Sequence, residues 1–206
     1  MTKSEKTKLF IIEKAAALFN RKGYNGTSMS DIMEATGLSK GGIYGNFKRD
    51  GLDKNGVKDE IAIAAFQHAV EQVYEAIRER TSVIEHTLDK LKAVVYFYRE
   101  RVLNPPVEGG CPIQNSAIES DDMLPVLREK VQSALAEWER RITRTLEKGI
   151  EKGEVKADVD KQEFATLFIG TLEGGILLAR AQNSIKPFEV MSKQLLWMIE
   201  NLSPNK

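Results

Sequence analysis

Apolar residues recur along most of this chain at the three-to-four-residue spacing of one face of a helix. In the first such segment the spacing links Leu9, Ile12, Ala16 and Phe19, and Gly23 ends it. Breaks rich in glycine, proline or asparagine separate the segments, and no convincing strand alternation lies between them. The pattern therefore predicts an all-α protein.

Long helices are predicted in the part of the chain that follows Phe47. A polar, glycine-bearing loop is expected to reach Val57 before they begin. Capping-box patterns mark two helix starts, at Ser82 with Glu85 and at Asp160 with Glu163. The expected helices cover residues 58–80, 82–102, 121–152 and 161–182, and a last helix carries Pro187 in its first turn.

Residues 27–47 are predicted to form two short helices around a tight turn. Ser28 and Ser39 are placed to cap the two helices, and Gly37 can adopt the positive φ that the turn requires. Helices this short need support from the first helix. The start of the second helix offers unpaired N–H groups and partial positive charge, which suit DNA phosphates. Its expected exposed side consists of Lys40, Gly41, Gly42 and Tyr44.

Charge is distributed unevenly along the 206 residues, although the formal net charge is zero. The first 58 residues hold 11 basic and 6 acidic residues, whereas the rest holds 19 basic and 24 acidic ones. A basic head on an acidic body favours phosphate binding at the head. No signal peptide or sufficiently long apolar run is visible, so we expect a cytoplasmic protein without a membrane partner.

The head resembles the TetR (tetracycline-repressor-type) family of one-component regulators. The matching residues are Ile12, Ala15, Ala16, Leu18, Phe19, Gly23, Tyr24, Thr27, Ser28, Ile32, Ala35, the run Gly37–Gly41 and the run Tyr44–Lys48. The resemblance implies a homodimer whose recognition helices enter the major grooves of a near-palindromic double-stranded DNA operator. It also implies DNA contacts from Thr27, Ser28, Ser39, Lys40, Gly41, Gly42, Tyr44, Asn46 and Lys48. Lys40 and Gly41 would lie nearest the bases.

Two departures from the family pattern affect the head. Met33 stands where the family usually has alanine, and residues 49–57 form an insertion of about eight residues before the next helix. With the insertion counted as its last segment, we predict a helix-turn-helix DNA-binding domain over residues 1–57. Residues 58–206 would form a larger helical domain for ligand sensing and dimerisation.

The larger domain is expected to hold a small apolar or electrophilic effector whose binding releases the operator. Aromatic residues on its middle helices are candidates for the pocket, although such residues more often belong to a core. Cys111 follows two glycines and precedes a short predicted helix, whose start would favour the thiolate. The segment from Cys111 to Asn115 looks like the subgroup of electrophile-responsive repressors. The predicted ligand-binding residues are Tyr96, Cys111, Asn115, Met123, Trp138, Phe164 and Phe168.

Three glycines on the 161–182 helix suggest that another helix approaches it closely, since glycine weakens a helix. Together with the last helix this predicts a four-helix dimer interface, with an intramolecular core as the alternative. The predicted interface residues are Gly170, Gly174, Leu178, Met191, Leu195 and Met198.

Two other functional classes remain open at this point. Cys111 with a distant histidine could serve a thiol-dependent enzyme, but no surrounding motif supports one. A helical dimer could instead bind a partner protein with a vestigial head. His68 and His86 lie apart from any metal-ligand spacing, so neither a metal nor a cofactor is expected.

Overall fold

The computed structural model describes residues 1–47, 54–120 and 124–204, and in these ranges the regular structure is entirely helical. The helices are α1 (Lys3–Gly26), α2 (Met29–Thr36), α3 (Lys40–Phe47), α4 (Lys54–Thr81), α5 (Thr87–Arg101), α6 (Pro112–Ser120), α7 (Pro125–Glu151), α8 (Lys161–Ala181) and α9 (Lys186–Glu200). The prediction of an all-α chain is confirmed.

The chain divides into two compact units whose limits differ from the predicted division after residue 57. The first unit contains Met1–Val73 and Val107–Gln132, and the second contains Tyr74–Pro106 and Ser133–Lys206. Helix α4 begins at Lys54, four residues before the predicted start, and contributes residues to both units. Most of the predicted 49–57 insertion, residues 49–53, lies outside the described residues.

The first unit has its own apolar core. Residues from α1, α2, α3 and α4 form it, and α6 packs against α1. Its most deeply buried side chains are Ile11, Ala15, Ile32, Ile43, Phe47, Ile61 and Ala65. The two short helices are therefore held by burial against longer ones, which offsets their low intrinsic stability.

Side-chain hydrogen bonds attach the end of α1 to the segment before α6. The Asn20 amide donates to the carbonyls of Glu108 and Gly110 at 2.9 and 3.1 Å. The Asn115 amide donates to the carbonyls of Asn20 and Gly109 at 3.0 and 2.9 Å. Gly109 has a φ of 112°, and a Cβ there would lie 2.3 Å from the Asn20 carbonyl oxygen. Only glycine fits this close approach.

The second unit is built mainly by α5, α8 and α9 around large buried side chains. Phe97, Phe168, Phe188, Leu172 and Leu195 are almost completely buried there. Helix α8 is long and apolar enough to cross a membrane, but 44% of the relevant stretch is buried inside the protein. A core helix of a soluble protein has the same length and composition, so this is weak evidence for a span.

Candidate nucleic-acid interface and ligand cavity

The α2–α3 pair is capped as the sequence predicts. The Ser28 hydroxyl accepts from the Asp31 N–H at 3.1 Å, and the Asp31 carboxylate accepts from the Ser28 N–H at 2.7 Å. Gly37 ends α2 with a φ of 67°, and the Ser39 hydroxyl accepts from the Gly42 N–H at 3.2 Å. Local hydrogen bonds thus fix the turn and the start of α3.

Helix α3 turns a side with few side chains toward solvent. Ile43 and Phe47 face the core, while Lys40, Gly41 and Gly45 are exposed. A Cβ placed on Gly41 or Gly45 would meet no atom within 4 Å. The backbone of α3 is therefore open to close approach along a full helical turn. Gly45 was not among the predicted contacts, although its four-residue spacing from Gly41 was a signal for it.

Lys40 and Tyr44 flank this open backbone. The Lys40 ammonium lies 5.4 Å from the centre of the Tyr44 ring, so the cation and the ring are held near each other. At the start of α2, the Lys22 ammonium lies 2.6 Å from the Asp31 carboxylate. The hydrogen bonds from Lys22 and Ser28 hold the pKa of Asp31 well below its usual range. Lys40 combines a positive charge with a position beside exposed backbone, as a base or phosphate contact requires.

Two predicted DNA contacts have internal roles in the structure. Thr27 is completely buried, and its hydroxyl donates to the Gly23 carbonyl at 2.8 Å. Its side chain closes the end of α1, which corrects its assignment to the DNA surface. The Asn46 amide donates to the Gly42 carbonyl at 2.7 Å and accepts from the Ser4 hydroxyl at 3.0 Å. Asn46 therefore joins α3 to α1. Lys48 lies outside the described residues.

A cavity of about 450 Å³ opens within the second unit. Residues from α4, α5, α7 and α8 line it, including Trp138 and Phe168 from the predicted set. Phe164 is buried and stacks on Phe168, with ring centres 5.8 Å apart, but it does not line the cavity. The volume lies within the range of small-molecule sites.

Residues 11–49 match the family described as "Bacterial regulatory proteins, tetR family", and residues 87–195 match "Tetracyclin repressor-like, C-terminal domain". A solved TetR transcriptional regulator from Chloroflexus aurantiacus is 40% identical, covers 98% of each chain and has a TM-score of 0.89. The chain belongs to the TetR family of transcriptional regulators.

Other relatives of this TetR-family regulator are also described as regulators. An uncharacterized HTH-type transcriptional regulator of Mycobacterium tuberculosis is 29% identical over 90% of each chain. A cysteine mutant of the TetR-family regulator CifR, solved with 26-bp double-strand operator DNA, is 19% identical. It covers 90% of this chain and 93% of its own with a TM-score of 0.78, which shows a shared fold. Because the family is one of regulators, the thiol-dependent enzyme is not favoured.

Three further predicted ligand residues of this TetR-family regulator, Tyr96, Cys111 and Asn115, do not line the cavity. Tyr96 is a partly exposed residue of α5. Cys111 and Asn115 lie in the first unit, where Asn115 belongs to the network around Asn20. Met123 lies outside the described residues. The sequence grouped these residues by their chemistry, whereas the fold distributes them over both units.

Cys111 immediately precedes α6, and its carbonyl accepts from the Asn115 N–H at 3.1 Å. The predicted position at a helix start is confirmed. Its side chain is only 8% exposed, which restricts the approach of an electrophile. Electrophile sensing at this residue stays a prediction. Within the described residues, no group of three or more His, Cys, Asp or Glu side chains is arranged to hold a metal.

Helices α8 and α9 expose apolar side chains, and α8 also carries two glycines with open space around them. Leu167, Leu177 and Leu178 of α8 and Trp197 of α9 are exposed in the single chain. A Cβ on Gly170 or Gly174 would meet nothing within 4 Å. Gly175 by contrast faces inward, where a Cβ would lie 3.1 Å from Phe188 and Met191.

The predicted interface residues separate into two groups on this basis. Gly170, Gly174 and Leu178 lie on the apolar surface of α8, and Met191 and Met198 of α9 are partly buried. Leu195 is completely buried within its own chain. It has no surface left for a second chain, which corrects its assignment to the interface.

Proposed function

We propose that the protein is a homodimeric repressor that binds a near-palindromic operator and releases it when a small molecule occupies the cavity. The main observation in support of operator binding is the exposed backbone of α3 between Lys40 and Tyr44. A helix with bare glycines and a flanking cation can lie deep in a major groove. A bacterial cytoplasm would be the site of this activity.

Dimerisation is supported by the apolar surface of α8 and α9. Two chains related by a two-fold axis would each bury Leu167, Leu177 and Trp197 against the other. The same symmetry would present two α3 helices to two operator half-sites. Several large exposed apolar side chains on two packed helices are consistent with such an interface.

Helix α4 supplies the element that would connect ligand binding to DNA binding. Tyr74, Ile77 and Arg78 of α4 line the cavity, while Ile61 and Ala65 of the same helix belong to the core beneath α2 and α3. A ligand that changes the position of α4 would therefore act on the support of the recognition helix. Differential binding to two positions of α4 provides the coupling free energy.

Operator binding is tested with the DNA upstream of the protein's own gene and a scrambled duplex, by fluorescence anisotropy at several salt concentrations. Tyr44→Ala is expected to weaken binding to both duplexes, whereas Lys40→Ala should reduce the preference between them. Each contact is worth about 1–3 kcal/mol. Tyr44→Phe isolates the hydroxyl, and Arg140→Ala on α7 is the control for loss of one positive charge. Unchanged affinity and salt dependence in both α3 variants would contradict the proposal.

A further inference from the structure

The opening of the cavity in the second unit is strongly basic. Six of its lining residues are lysine or arginine, and the acidic lining residue is Glu85. The basic residues come from α4, α5, α7 and the residue that follows α7, and they are Arg78, Lys90, Arg141, Arg144, Lys148 and Lys152. The chain as a whole has a net charge of zero, so this concentration does not reflect its average composition.

Among the described residues, four of these six cations have no carboxylate within 4.0 Å, and one of the four, Lys152, bonds to a backbone carbonyl instead. Arg78 and Arg141 each lie 2.8 Å from a carboxylate, of Glu75 and Glu137 respectively. Lys152 donates to the Glu85 carbonyl at 3.1 Å. Lys90, Arg144 and Lys148 likewise have no carboxylate within 4.0 Å among the described residues, so no ion pair has to break before they bind an anion. We call Lys90, Arg144 and Lys148 the basic rim.

Apolar and aromatic side chains form the deeper wall of the cavity. Five buried side chains make up this wall, and we call them the aromatic floor: Tyr74, Leu91, Trp138, Ile142 and Phe168. The Tyr74 hydroxyl donates to the Ala134 carbonyl at 2.9 Å, so the floor presents its ring. The Trp138 ring stacks on the Tyr98 ring, with centres 6.3 Å apart.

The guanidinium of Arg141 marks the transition between floor and rim. It lies 4.3 Å from the centre of the Tyr74 ring while it pairs with Glu137. The cavity is therefore apolar inside and positively charged at its opening. A neutral apolar ligand would fill the floor but leave the basic rim uncompensated, and an inorganic anion would leave the floor empty. Like charges held near one another also favour an anion between them.

We propose that the effector is an amphipathic organic anion, with an aromatic or aliphatic body on the aromatic floor and a carboxylate-type group at the basic rim. This rests on the proposed function only in taking the cavity as the effector site. Arg144 and Lys148 would bind the anionic group, since each can donate charge-assisted hydrogen bonds. Burial of the body on Trp138 and Phe168 would supply the apolar part of the affinity.

The charge requirement is tested with two fluorescent probes that share one ring system. Anilinonaphthalene sulfonate (ANS) carries an anionic group, and N-phenylnaphthylamine is its neutral counterpart. We expect ANS to bind the purified full-length protein more tightly than the neutral probe. Its affinity should fall as salt rises, whereas that of the neutral probe should not, because salt screens only the ionic contact.

Arg144→Gln locates the anionic contact. It should weaken ANS binding about fivefold or more, the size expected for one charge-assisted contact, and leave the neutral probe nearly unchanged. Arg140→Gln is the matched control, because it removes the same charge from the same helix at a residue that does not line the cavity. Both positions are exposed, and thermal unfolding of each variant verifies that the fold is intact.

Equal binding of the two probes, or equal effects of Arg144→Gln and Arg140→Gln, would overturn the proposal. Operator binding is measured separately on the same variants. Selective ANS binding in a protein that fails to bind any operator supports the anion site while removing the regulatory function. Operator binding without selectivity between the probes supports the regulator and refutes the anionic ligand.

Discussion

At the scale of single residues, the glycines of α3 lower the stability of that helix, and their exposed positions suggest why they are nevertheless present. Gly41, Gly42 and Gly45 lie in one eight-residue helix, where each weakens helix formation relative to alanine. Gly41 and Gly45 have open space where a Cβ would lie. Packing inside the chain therefore does not require them, which is the result expected if the operator approaches this backbone closely, as proposed above.

Gly45→Ala tests this explanation. We expect the free energy of unfolding to rise by about 0.5–1 kcal/mol, because alanine is the better helix former and nothing obstructs its methyl group. Operator affinity should fall, because that methyl group would stand between the helix backbone and the DNA. Urea unfolding and anisotropy measure the two effects. Gly26→Ala at the end of α1 is the control and should leave operator affinity unchanged; a Gly45→Ala protein with full affinity would contradict the explanation.

The same residue scale shows which contacts the sequence could predict. Ser28, Gly37 and Ser39 act within four residues of their own position, so the local sequence contains their partners. Thr27 and Asn46 have the residue types of DNA contacts but bond to α1. Asn46 accepts from Ser4, 42 residues away, which no local pattern specifies. The Gly23 partner of Thr27 lies only four residues away, but the residue type alone does not reveal that the Thr27 hydroxyl is turned inward.

At the scale of helices, the start of α5 shows the same distinction. Ser82 and Glu85 predicted a start there, but the Ser82 hydroxyl donates back to the Glu79 carbonyl at 3.1 Å and so belongs to the end of α4. Helix α5 begins at Thr87, and its N–H donates to the Glu154 carboxylate at 2.8 Å. A cap supplied from 67 residues away leaves no capping-box signal in the sequence.

Glu154→Gln is expected to lower the free energy of unfolding by about 1 kcal/mol at pH 7, the usual size of a cap. Hydrogen bonds from the Thr87 hydroxyl and N–H hold the pKa of Glu154 below its ordinary value. The stabilisation is therefore complete above the unfolded-state pKa and disappears as pH falls through the lower folded-state pKa.

Urea unfolding of both proteins at pH 7 and pH 3 provides the measurement. The difference between wild type and Glu154→Gln should shrink at the lower pH, because protonation of Glu154 in the unfolded state then favours unfolding of the wild type. Glu151→Gln, at the exposed end of α7, is the control and should show little difference at either pH. If the difference in free energy of unfolding is the same at both pH values, the charge of Glu154 is not its cause.

At the scale of the whole molecule, periodicity predicted most of the architecture. The helical pattern sufficed because each long helix has a continuous apolar face, as α7 and α9 do. The limits of the two units could not be predicted from this periodicity. Val107–Gln132 joins the first unit through contacts such as Asn115 with Asn20, which connect residues 95 positions apart. Likewise, the basic rim appears only when α5 and α7 are placed together.

Dimerisation is the property on which operator recognition by this molecule would depend. Leu177 on α8 is 50% exposed in the single chain, and Trp197 on α9 is 61% exposed. Leu177→Glu should weaken the dimer at least about 100-fold, because two-fold symmetry buries the new charge twice and each unpaired charge costs several kcal/mol. Light scattering coupled to size exclusion should show a monomer at micromolar concentration. Operator binding should weaken with it, since two half-sites would no longer be occupied together.

Ile118→Glu is the matched control for this substitution. Ile118 on α6 is 72% exposed, so the same change of charge and side-chain size occurs on an apolar residue outside α8 and α9. It should leave both the molecular mass and the operator affinity as in the wild type. If Leu177→Glu stays dimeric and binds the operator normally, the α8–α9 surface is not the interface. If both variants dissociate, the effect follows from added charge rather than from position.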